Sequence, residues 1–475
     1  MERPFFCVSY RALLLLSLHV FMISFMHEGY AYGVERKIAS HTISVSSLLP
    51  SPSCSPSTTK ANHKSTLEVI HKHGPCSPLV QDHNPLNLTE ILLRDESRVK
   101  WIQSQSSNSR DGLKALAGAS LPAMFDITVG EYIVTIGLGT PMKNLTLEFD
   151  TGSHLTWTQC EPCLGSCYTQ FDPMFNPSQS SSYANISCAS TLCSLAGSGC
   201  LGSTCLYSVK YGDNTSSVGF LATEKLTISP TEVIDNFQFG CGENNSEGFG
   251  RAAGLLGLSD NNISFVEQTA AKYGKYFSYC LPSSPSSTGH LTFGNEGGEP
   301  SSVKFTPLSK IQQDSEFYGI SIVGISVEGI PLSIPSTIFS SPDAVIDSGT
   351  VITQMPPTAY SALRTAFRNA MANYTMTPAI PIHSDLPTLD TCYDFSKEST
   401  VTVPSITFSF AEGVDIDLHP SGILYTVNAS EVCLAFAATG ADTDLAVYGN
   451  VQQRTFEMVY DVAGRKLGFG PNACS

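Results

Sequence analysis

The sequence predicts an all-β (mainly β) protein in which two lobes follow one plan. From residue 122 onward, short apolar or alternating runs rich in Val, Ile, Thr and Phe are broken by Gly, Pro, Asn and Asp. The pattern "YIVTIGLGTP…LTLEFDTGS" returns as "FYGISIVGISV…DAVIDSGT", and "AGLLGLS" returns as "AVYGNVQ". A half-chain that repeats in this way predicts two pseudo-symmetric lobes. We place them at residues 122–310 and 311–475.

The first residues have the pattern of a signal peptide. Arg3 and Arg11 precede an apolar stretch from Ala12 to Met26, which is shorter than a membrane span, and small residues follow it at Gly29 and Ala31. We therefore predict a signal peptide at residues 1–31 and a secreted protein without a membrane anchor. A plastid transit peptide is the alternative, because the next segment is rich in Ser and poor in acidic residues.

Residues 32–121 differ from the body and predict a removable pro-segment. The Ser/Thr/Pro-rich residues 40–64 are typical of a linker. A strand is expected in "LEVIHKHGPCSPL", and a helix in "NLTEILLRDESRVKWIQSQ", where five apolar residues share one face: Leu88, Ile91, Leu92, Val99 and Ile102. The polar stretch that follows predicts a cleavage site between Arg110 and Phe125.

The charge of the chain is distributed unevenly. Residues 32–121 carry 10 Lys+Arg against 7 Asp+Glu, whereas residues 122–475 carry 14 against 33. A body with a net charge of −19 repels nucleic acid and anionic membranes, which excludes both as partners. A basic, histidine-rich pro-segment on an acidic body suggests an ionic clamp that weakens in acid.

Cysteines and glycosylation sequons also indicate secretion. Twelve of the fifteen cysteines lie between Cys160 and Cys474, and in a chain with a signal peptide they predict disulfides rather than a metal site. Eight N-x-S/T sequons are glycosylation candidates. They are Asn87, Asn144, Asn185, Asn214, Asn244, Asn262, Asn373 and Asn428.

The two Asp-[Ser/Thr]-Gly motifs carry the chemistry. Each follows an apolar run and precedes a hydroxyl residue, with Asp150 and Gly152 in the first motif and Asp347 and Gly349 in the second. Two carboxylates about 3 Å apart cannot both ionise easily, so one can take a proton from a water and the other can donate one. The glycines allow close backbone approach. This pair predicts general acid–base hydrolysis without a metal or cofactor.

With these motifs the chain resembles the pepsin-like aspartic endopeptidases, and most closely their nepenthesin-like plant branch. The resemblance rests on "HKHGPCSPL", "FDTGS", the cysteine-rich insert, "YGD", "AVIDSGT" and "YGNVQQR". It implies a bilobal pepsin-like fold with a cleft, a zymogen whose pro-segment blocks that cleft, and polypeptide substrates. It makes Asp150 and Asp347 the catalytic residues. Ser153 and Thr350 would bond their outer oxygens, and Thr151 and Ser348 would brace the two loops.

The resemblance also implies a flap and a disulfide pattern. "VKYGDNTSSVGF" matches the flap, with Tyr211 at its working end, Gly212 and Asp213 beside it, and Trp157 as the hydrogen-bonding neighbour of Tyr211. Without the motif, Tyr211 and Trp157 would be interpreted as sheet packing. The implied disulfides are Cys160–Cys163, Cys167–Cys241, Cys188–Cys205, Cys193–Cys200, Cys280–Cys474 and Cys392–Cys433.

Two residues depart from the family pattern. His154 stands where relatives have an acidic residue, and it is interpreted either as an exposed histidine or as an imidazolium that lowers the pKa of the aspartate pair. Asn214 makes a sequon where relatives have a glycine-rich flap tip. A glycan there would obstruct substrate, or the sequon is unused.

Other functions were weighed against a secreted monomeric endopeptidase. An inactive inhibitor or binding protein of the same fold is the main alternative, but both Asp motifs and the flap tyrosine are present. DNA binding conflicts with the acidic body. The chain has neither the G-x-S-x-G motif of serine hydrolases nor the H-E-x-x-H motif of metalloproteases. The sequence leaves the apoplast and the vacuole open as final locations.

Overall fold

The structure is a computed structural model, and it describes residues 40–49, 51–57, 64–80, 88–106, 131–196, 199–211, 215–295, 298, 301–311, 316–339, 344–383, 386–428, 430–471 and 473–474. The signal peptide, the expected cleavage region and the flap residues Gly212, Asp213 and Asn214 lie outside these ranges, as does Asn87. Within them, no helix is long and apolar enough to cross a membrane.

Strands predominate, as the sequence predicts. In chain order the first are β1 (Ser40–Ser44), β2 (Thr66–His71), β3 (Tyr132–Leu138), β4 (Lys143–Asp150), β5 (Trp157–Gln159), β6 (Ala184–Asn185), β7 (Gly199–Leu201), β8 (Thr204–Lys210), β9 (Ser216–Ser229), β10 (Glu232–Asn245), β11 (Gly254–Gly257), β12 (Tyr276–Cys280), β13 (Thr288–Phe293) and β14 (Lys304–Pro307). The others are β15 (Ser309–Lys310), β16 (Tyr318–Ile320), β17 (Ile322–Val327), β18 (Ile330–Pro331), β19 (Ala344–Ile346), β20 (Thr353–Met355), β21 (Met376–Thr377), β22 (Ile380–His383), β23 (Leu386–Leu389), β24 (Cys392–Asp394), β25 (Thr400–Pro404), β26 (Ile406–Phe410), β27 (Val414–Asp417), β28 (Leu424–Thr426), β29 (Glu431–Leu434), β30 (Phe436–Ala438), β31 (Ala446–Tyr448), β32 (Glu457–Asp461) and β33 (Lys466–Gly470).

The helices are short, with one exception before the body. They are α1 (Leu88–Ser106), α2 (Thr191–Ala196), α3 (Phe265–Gln268), α4 (Ala270–Tyr273), α5 (Pro357–Ala370) and α6 (Pro420–Ile423), with single 3-10 turns at Val45–Leu48, Pro177–Gln179, Ala411–Gly413 and Asn450–Gln453. The segment "SFVEQTAAKYG" forms two single helical turns. The Ser264 side chain caps the first turn, and Gly274, at φ 69°, ends the second.

One large sheet contains strands of the first lobe, β2 from the segment before that lobe, and β32 and β33 from near the last residues of the chain. Its order is β14-β33-β32-β12-β13-β2-β3-β4-β11-β5-β10-β9-β8-β7, with β6 added on β9. The second lobe contributes a six-stranded sheet, β15-β16-β19-β31-β20-β30, and two four-stranded sheets, β18-β17-β26-β27 and β21-β24-β29-β28. Two strand pairs, β1 with β25 and β22 with β23, complete the described strands.

The repeated half-chain corresponds to a repeated strand arrangement. In the first lobe β4 pairs in parallel with β11, and Asp150 stands opposite Gly257. In the second lobe β19 pairs in parallel with β31, and Ile346 stands opposite Tyr448 just before Asp347. The strands β11 and β31 belong to the repeated segments "AGLLGLS" and "AVYGNVQ". Each aspartate therefore lies at the carboxyl end of a buried strand that pairs with one of these two segments. This confirms the bilobal pepsin-like fold.

The described part of residues 32–121 contains more regular structure than the predicted linker, strand and helix. Residues 40–44 are not a linker but the strand β1, which pairs with β25 over five residues from Ser40↔Pro404 to Ser44↔Thr400. The local sequence could not show this, because the partner strand lies more than 350 residues later. The strand expected in "LEVIHKHG" is β2, and the helix expected at Leu88 is α1, with Ile91, Leu92, Val99 and Ile102 buried.

Four of the six disulfides implied by the family resemblance are paired differently. The structure has Cys160–Cys241, Cys163–Cys167, Cys188–Cys200 and Cys193–Cys205, together with an additional bond, Cys54–Cys76. It also has Cys280–Cys474 and Cys392–Cys433, as implied.

Backbone pairing explains the changed partners. The parallel register of β5 and β10 places Cys160 beside Cys241, with Cα atoms 5.4 Å apart. Antiparallel pairing of β7 and β8 sets Cys200 opposite Cys205, and Cys200 bonds Cys188 of the preceding loop while Cys205 bonds Cys193 of α2. Sequence spacing alone does not contain this information.

Candidate active site

Asp150 and Asp347 lie together at the junction of the two lobes, and both are fully buried. The Asp150 Oδ1 accepts a hydrogen bond from the Gly152 amide at 2.9 Å, and its Oδ2 accepts one from the Ser153 hydroxyl. The second motif repeats this arrangement, since the Asp347 Oδ1 accepts from the Gly349 amide at 3.1 Å and the Oδ2 from the Thr350 hydroxyl at 2.6 Å. Each carboxylate is thus oriented by its own motif.

The two glycines are required because the loops approach closely. A Cβ at Gly152 would lie 2.8 Å from the Asp347 Oδ1, and a Cβ at Gly349 would lie 2.7 Å from the Asp150 Oδ1. A larger residue at either position would separate the carboxylates. Each glycine therefore leaves room for the aspartate of the other motif and for the side chain of Arg98, which would be the nearest neighbour of a Cβ at either position.

Reciprocal hydrogen bonds join the two motif loops. The Thr151 amide donates to the Ser348 hydroxyl at 3.0 Å, and the Ser348 amide donates to the Thr151 hydroxyl at 2.9 Å. The pair holds the lobes in register directly beneath the carboxylates. The structure therefore brings together the six supporting residues that the sequence indicates.

Trp157 and Tyr211 are also in contact. The Trp157 Nε1 donates to the Tyr211 hydroxyl at 2.8 Å, and both side chains are buried against Phe249. Tyr211 lies between β8 and β9, where its amide donates to the carbonyl of Thr215 at 2.8 Å. The contact expected of a flap tyrosine is present, and it is part of a small aromatic cluster as well.

A residue that the sequence reasoning missed occupies the centre of the site. Arg98 of α1 donates from Nε to the Asp347 Oδ2 at 2.6 Å. Its Nη2 donates to the Asp150 Oδ1 at 2.7 Å and to the Asp347 Oδ1 at 2.9 Å. One guanidinium therefore bonds both carboxylates and fills the space between them.

Burial and the charge of Arg98 act in opposite directions on the pKa of each aspartate. Burial raises the pKa of Asp150. Burial also acts to raise the pKa of Asp347, but the charge and hydrogen bonds of Arg98 outweigh burial and leave this pKa lowered. The pKa of Arg98 is raised, because the attraction of both aspartates exceeds the cost of burying the cation. A charged Arg98 thus favours ionised aspartates.

Asp95, one turn before Arg98, bonds the backbone that follows the second motif. Its carboxylate accepts from the amides of Val351 at 2.5 Å and Ile352 at 3.1 Å. Burial raises the pKa of Asp95 to about 7. Together Asp95 and Arg98 place polar contacts at the centre of the buried face of α1.

The rest of this face is apolar and packs on the second lobe. Ile91 and Leu92 contact a cluster that includes Val351 and Ile352, and Val99 and Ile102 contact the cluster of Phe317, Val345 and Val447. The sequence contained a signal for the two charged residues. Residues 91, 95, 98 and 102 have helical spacing, so Asp95 and Arg98 interrupt the predicted apolar face of α1.

His154 faces another carboxylate. Its Nδ1 lies 2.7 Å from the Glu316 Oε2, and this pairing raises the pKa of His154 although burial acts to lower it. The side chain is 34 % exposed. The contact joins the first motif to residues just before β16, so the charge of His154 is already paired outside the aspartate pair.

The described sequon asparagines are all exposed. They are Asn144, Asn185, Asn244, Asn262, Asn373 and Asn428. Each is therefore accessible for glycosylation, which stays a prediction.

Family models and curated relatives match this chain over most of its length. The model described as xylanase inhibitor N-terminal matches residues 132–295, and the one described as xylanase inhibitor C-terminal matches residues 317–471. An aspartyl protease family protein of Arabidopsis thaliana is 50 % identical over 459 residues, covering 93 % of this chain and 94 % of its own length. Aspartic proteinase nepenthesin-2 of Nepenthes gracilis is 35 % identical, covering 73 % of this chain and 78 % of its own. The chain belongs to the plant pepsin-like aspartic protease family.

Solved structures show the same fold at lower identity. The structure named edgp covers 72 % of this chain and 91 % of its own, with a TM-score of 0.57 and 20 % identity. The soybean basic 7S globulin covers 71 % and 91 %, with a TM-score of 0.56 and 18 % identity.

Proposed function

We propose that this protein is a secreted aspartic-type endopeptidase, made as a zymogen and active on polypeptides at acid pH. The observation that carries the proposal is the geometry of Asp150 and Asp347, which face one another with matching hydrogen-bond donors. The aspartyl protease relatives support the reaction class. Secretion rests on the predicted signal peptide and the disulfides of the body.

The proposed reaction needs only the chain's own groups and a water. When Arg98 leaves, a water replaces the guanidinium between the inner carboxylate oxygens. The ionised aspartate takes a proton from this water, which attacks the scissile carbonyl carbon, and the protonated aspartate donates to the carbonyl oxygen. The C–N bond of the resulting tetrahedral intermediate then breaks, as the aspartate that took the proton gives it to the departing amine nitrogen and the other aspartate takes a proton from a hydroxyl of the intermediate, which leaves a carboxylic acid. Ser153 and Thr350 hold the outer oxygens so that the inner ones face the water. Assigning the proton to one aspartate is unnecessary, because the pair titrates as a unit.

Latency in this proposal comes from α1. While Arg98 bonds both carboxylates, no water or substrate can take that position. The full-length chain would therefore be inactive until α1 is displaced. The acid-weakened clamp expected from the sequence corresponds to this contact, because protonation of the aspartates removes the attraction that holds Arg98.

Replacing Asp150 with asparagine tests the reaction. We expect peptide cleavage by the activated protein, followed between about pH 3 and pH 7, to fall by roughly two to four orders of magnitude, because the pair loses one of its two proton-transfer groups. The matched control is Asp415→Asn, since the Asp415 side chain is exposed and the one hydrogen bond resolved for that side chain is accepted from the Ser409 hydroxyl. If wild type and Asp150→Asn both show only the same background cleavage, the aspartate pair does not catalyse the reaction, and the alternative, an inactive binding or inhibitory protein, is favoured.

Asp95 should make the docking of α1 tighter, not weaker, between pH 7 and pH 5. When α1 is docked, the pKa of Asp95 is about 7, which is above the ordinary aspartate value. Docking therefore takes up a proton, and it becomes more favourable as the pH falls from 7 to 5. The expected gain is about tenfold or more. Hydrogen exchange of the α1 amides, corrected for intrinsic rates, should slow by this factor between pH 7 and pH 5 in wild type, and this slowing should be absent in Asp95→Asn. The amides of α5 serve as the internal reference. Equal pH dependence of α1 in the two proteins would contradict the role of Asp95.

A further inference from the structure

The residues before the body form two parts with different contacts. We call residues Ser40–Val80 the N-terminal arm, of which 40–49, 51–57 and 64–80 are described. The helix α1 covers the aspartates through Arg98. The arm, in contrast, contributes to the sheet and to the hydrophobic core.

The strand β2 of the arm has a partner on both sides. Its residues Thr66–Ile70 pair with β13, from Thr66↔Thr292 to Ile70↔Thr288, and its last two residues pair with Ile133 and Tyr132 of β3. Removing β2 would leave the edges of β13 and β3 with unpaired backbone groups in the middle of the sheet.

The side chains of the arm are part of the core. Leu67 and Val69 are buried in the large cluster that contains most of the core of both lobes. Leu79 is buried with Ile133 and Ala252 of the first lobe. A departing arm would expose this apolar surface to water.

A buried ion pair joins the arm to the strand that carries Asp150. The Lys72 Nζ lies 2.5 Å from the Glu148 Oε1, and the side chains are 4 % and 0 % exposed. The pair is two residues from the catalytic aspartate. Without the arm, Glu148 would lose its cation while remaining inside the sheet.

The arm is also attached to the second lobe and closed on itself. β1 pairs with β25, and the Leu48 carbonyl accepts from the Thr426 hydroxyl at 2.9 Å. The disulfide Cys54–Cys76 joins the segment after β1 to the segment after β2. The arm therefore contacts both lobes as one cross-linked unit.

We propose that the N-terminal arm stays bound after proteolytic processing as a second, noncovalently held chain of the mature protein, whereas α1 alone is the part that leaves the cleft. The partner that β13, β3 and β25 fit is this segment of the same chain. The proposal goes beyond the proposed function and rests on it only in so far as the chain is processed between Arg110 and Phe125.

The test uses the full-length protein, which an added site-specific protease cuts at one introduced position. Residues 112–118 are replaced by the recognition sequence of a site-specific protease in an Asp150→Asn background, so that retention is measured without any activity of the protein itself. After cutting, size-exclusion chromatography shows whether the N-terminal fragment elutes with the body, and circular dichroism shows whether the body is folded. We expect equimolar co-elution.

Three further variants distinguish the contribution of the arm from that of α1. Arg98→Met removes the contact of α1 with the aspartates, and we expect the fragment to remain bound. Lys72→Met leaves Glu148 without its cation, and we expect the fragment to be lost or the cut protein to unfold. Lys72→Met/Glu148→Gln removes both charges and should restore co-elution, which keeps the test valid if Lys72→Met fails to fold.

Two results would overturn the proposal. One is a folded body that elutes without the fragment after the cut, because another part of the chain would then have replaced β2. The other is loss of the fragment in Arg98→Met, because retention would then belong to α1. A failure of the proposed function appears elsewhere, in the peptide cleavage assay of the protein with Asp150 intact.

Discussion

Replacing Arg98 with methionine should allow the full-length chain, which we propose to be latent, to cleave peptide without processing. Arg98 bonds both Asp150 and Asp347 at buried positions, so its loss leaves two facing carboxylates without their cation. Breaking a buried pair by removing one partner typically costs about 3–5 kcal/mol, and α1 would be held in the cleft less tightly by about two to three orders of magnitude. The measurement is the initial cleavage rate of the uncut chain, with intact mass recorded before and after.

Controls on the same helix separate this effect from a general loss of helix stability. Lys100→Met removes a cation that is 72 % exposed and pairs only with Glu96 among the ion pairs resolved for it, and the chain should remain latent. Arg98→Lys keeps the charge but loses the forked geometry, so an intermediate rate is expected. If Arg98→Met is as inactive as wild type while remaining uncut, Arg98 is not the group that blocks the site.

Replacing Lys72 with methionine should lower the free energy of unfolding of the uncut chain by about 3–5 kcal/mol. Glu148 is completely buried in β4, and Lys72 is the cation with which it forms an ion pair. Burial lowers the pKa of Lys72 although Glu148 acts to raise it. The attraction of Glu148 therefore does not fully offset the free-energy cost of removing the Lys72 ammonium group from water. The variant keeps the burial cost of Glu148 without the attraction that compensates for it. Urea unfolding of full-length proteins measures the change.

A double-mutant cycle shows whether the cost belongs to the pair. Lys72→Met/Glu148→Gln should recover most of the lost stability, because no uncompensated charge is then left inside the sheet. The surface pair of Lys225 with Asp235 provides the comparison, and Lys225→Met should change stability by no more than about 1 kcal/mol. Additive losses in the cycle would show that Lys72 and Glu148 act independently.

Much of the site was predictable because its chemistry repeats locally. Each Asp-[Ser/Thr]-Gly motif contains the aspartate, the glycine and the hydroxyl residue that orients it, so both half-sites could be recognised from a few adjacent residues. The contact between the half-sites followed from the repeat. The helix at Leu88 and the strand at Thr66 were also predictable, since apolar spacing and β-branched residues act over short ranges.

The features that the sequence did not predict depend on contacts between residues that are far apart in the sequence. The cysteine partners depended on the register of β5 with β10 and of β7 with β8, and β1 required a partner more than 350 residues away. His154 suggested a direct effect on the aspartates, but its position beside Glu316 became apparent only when the chain was folded.

The sequence by itself thus determined the class of fold and the two paired aspartates with the residues of their motifs, because these depend on local patterns that occur twice. Only the tertiary structure placed Arg98 between the aspartates and Lys72 against Glu148. A buried cation is stable only beside its counter-charge, and in both cases that counter-charge lies at least 50 positions away along the chain.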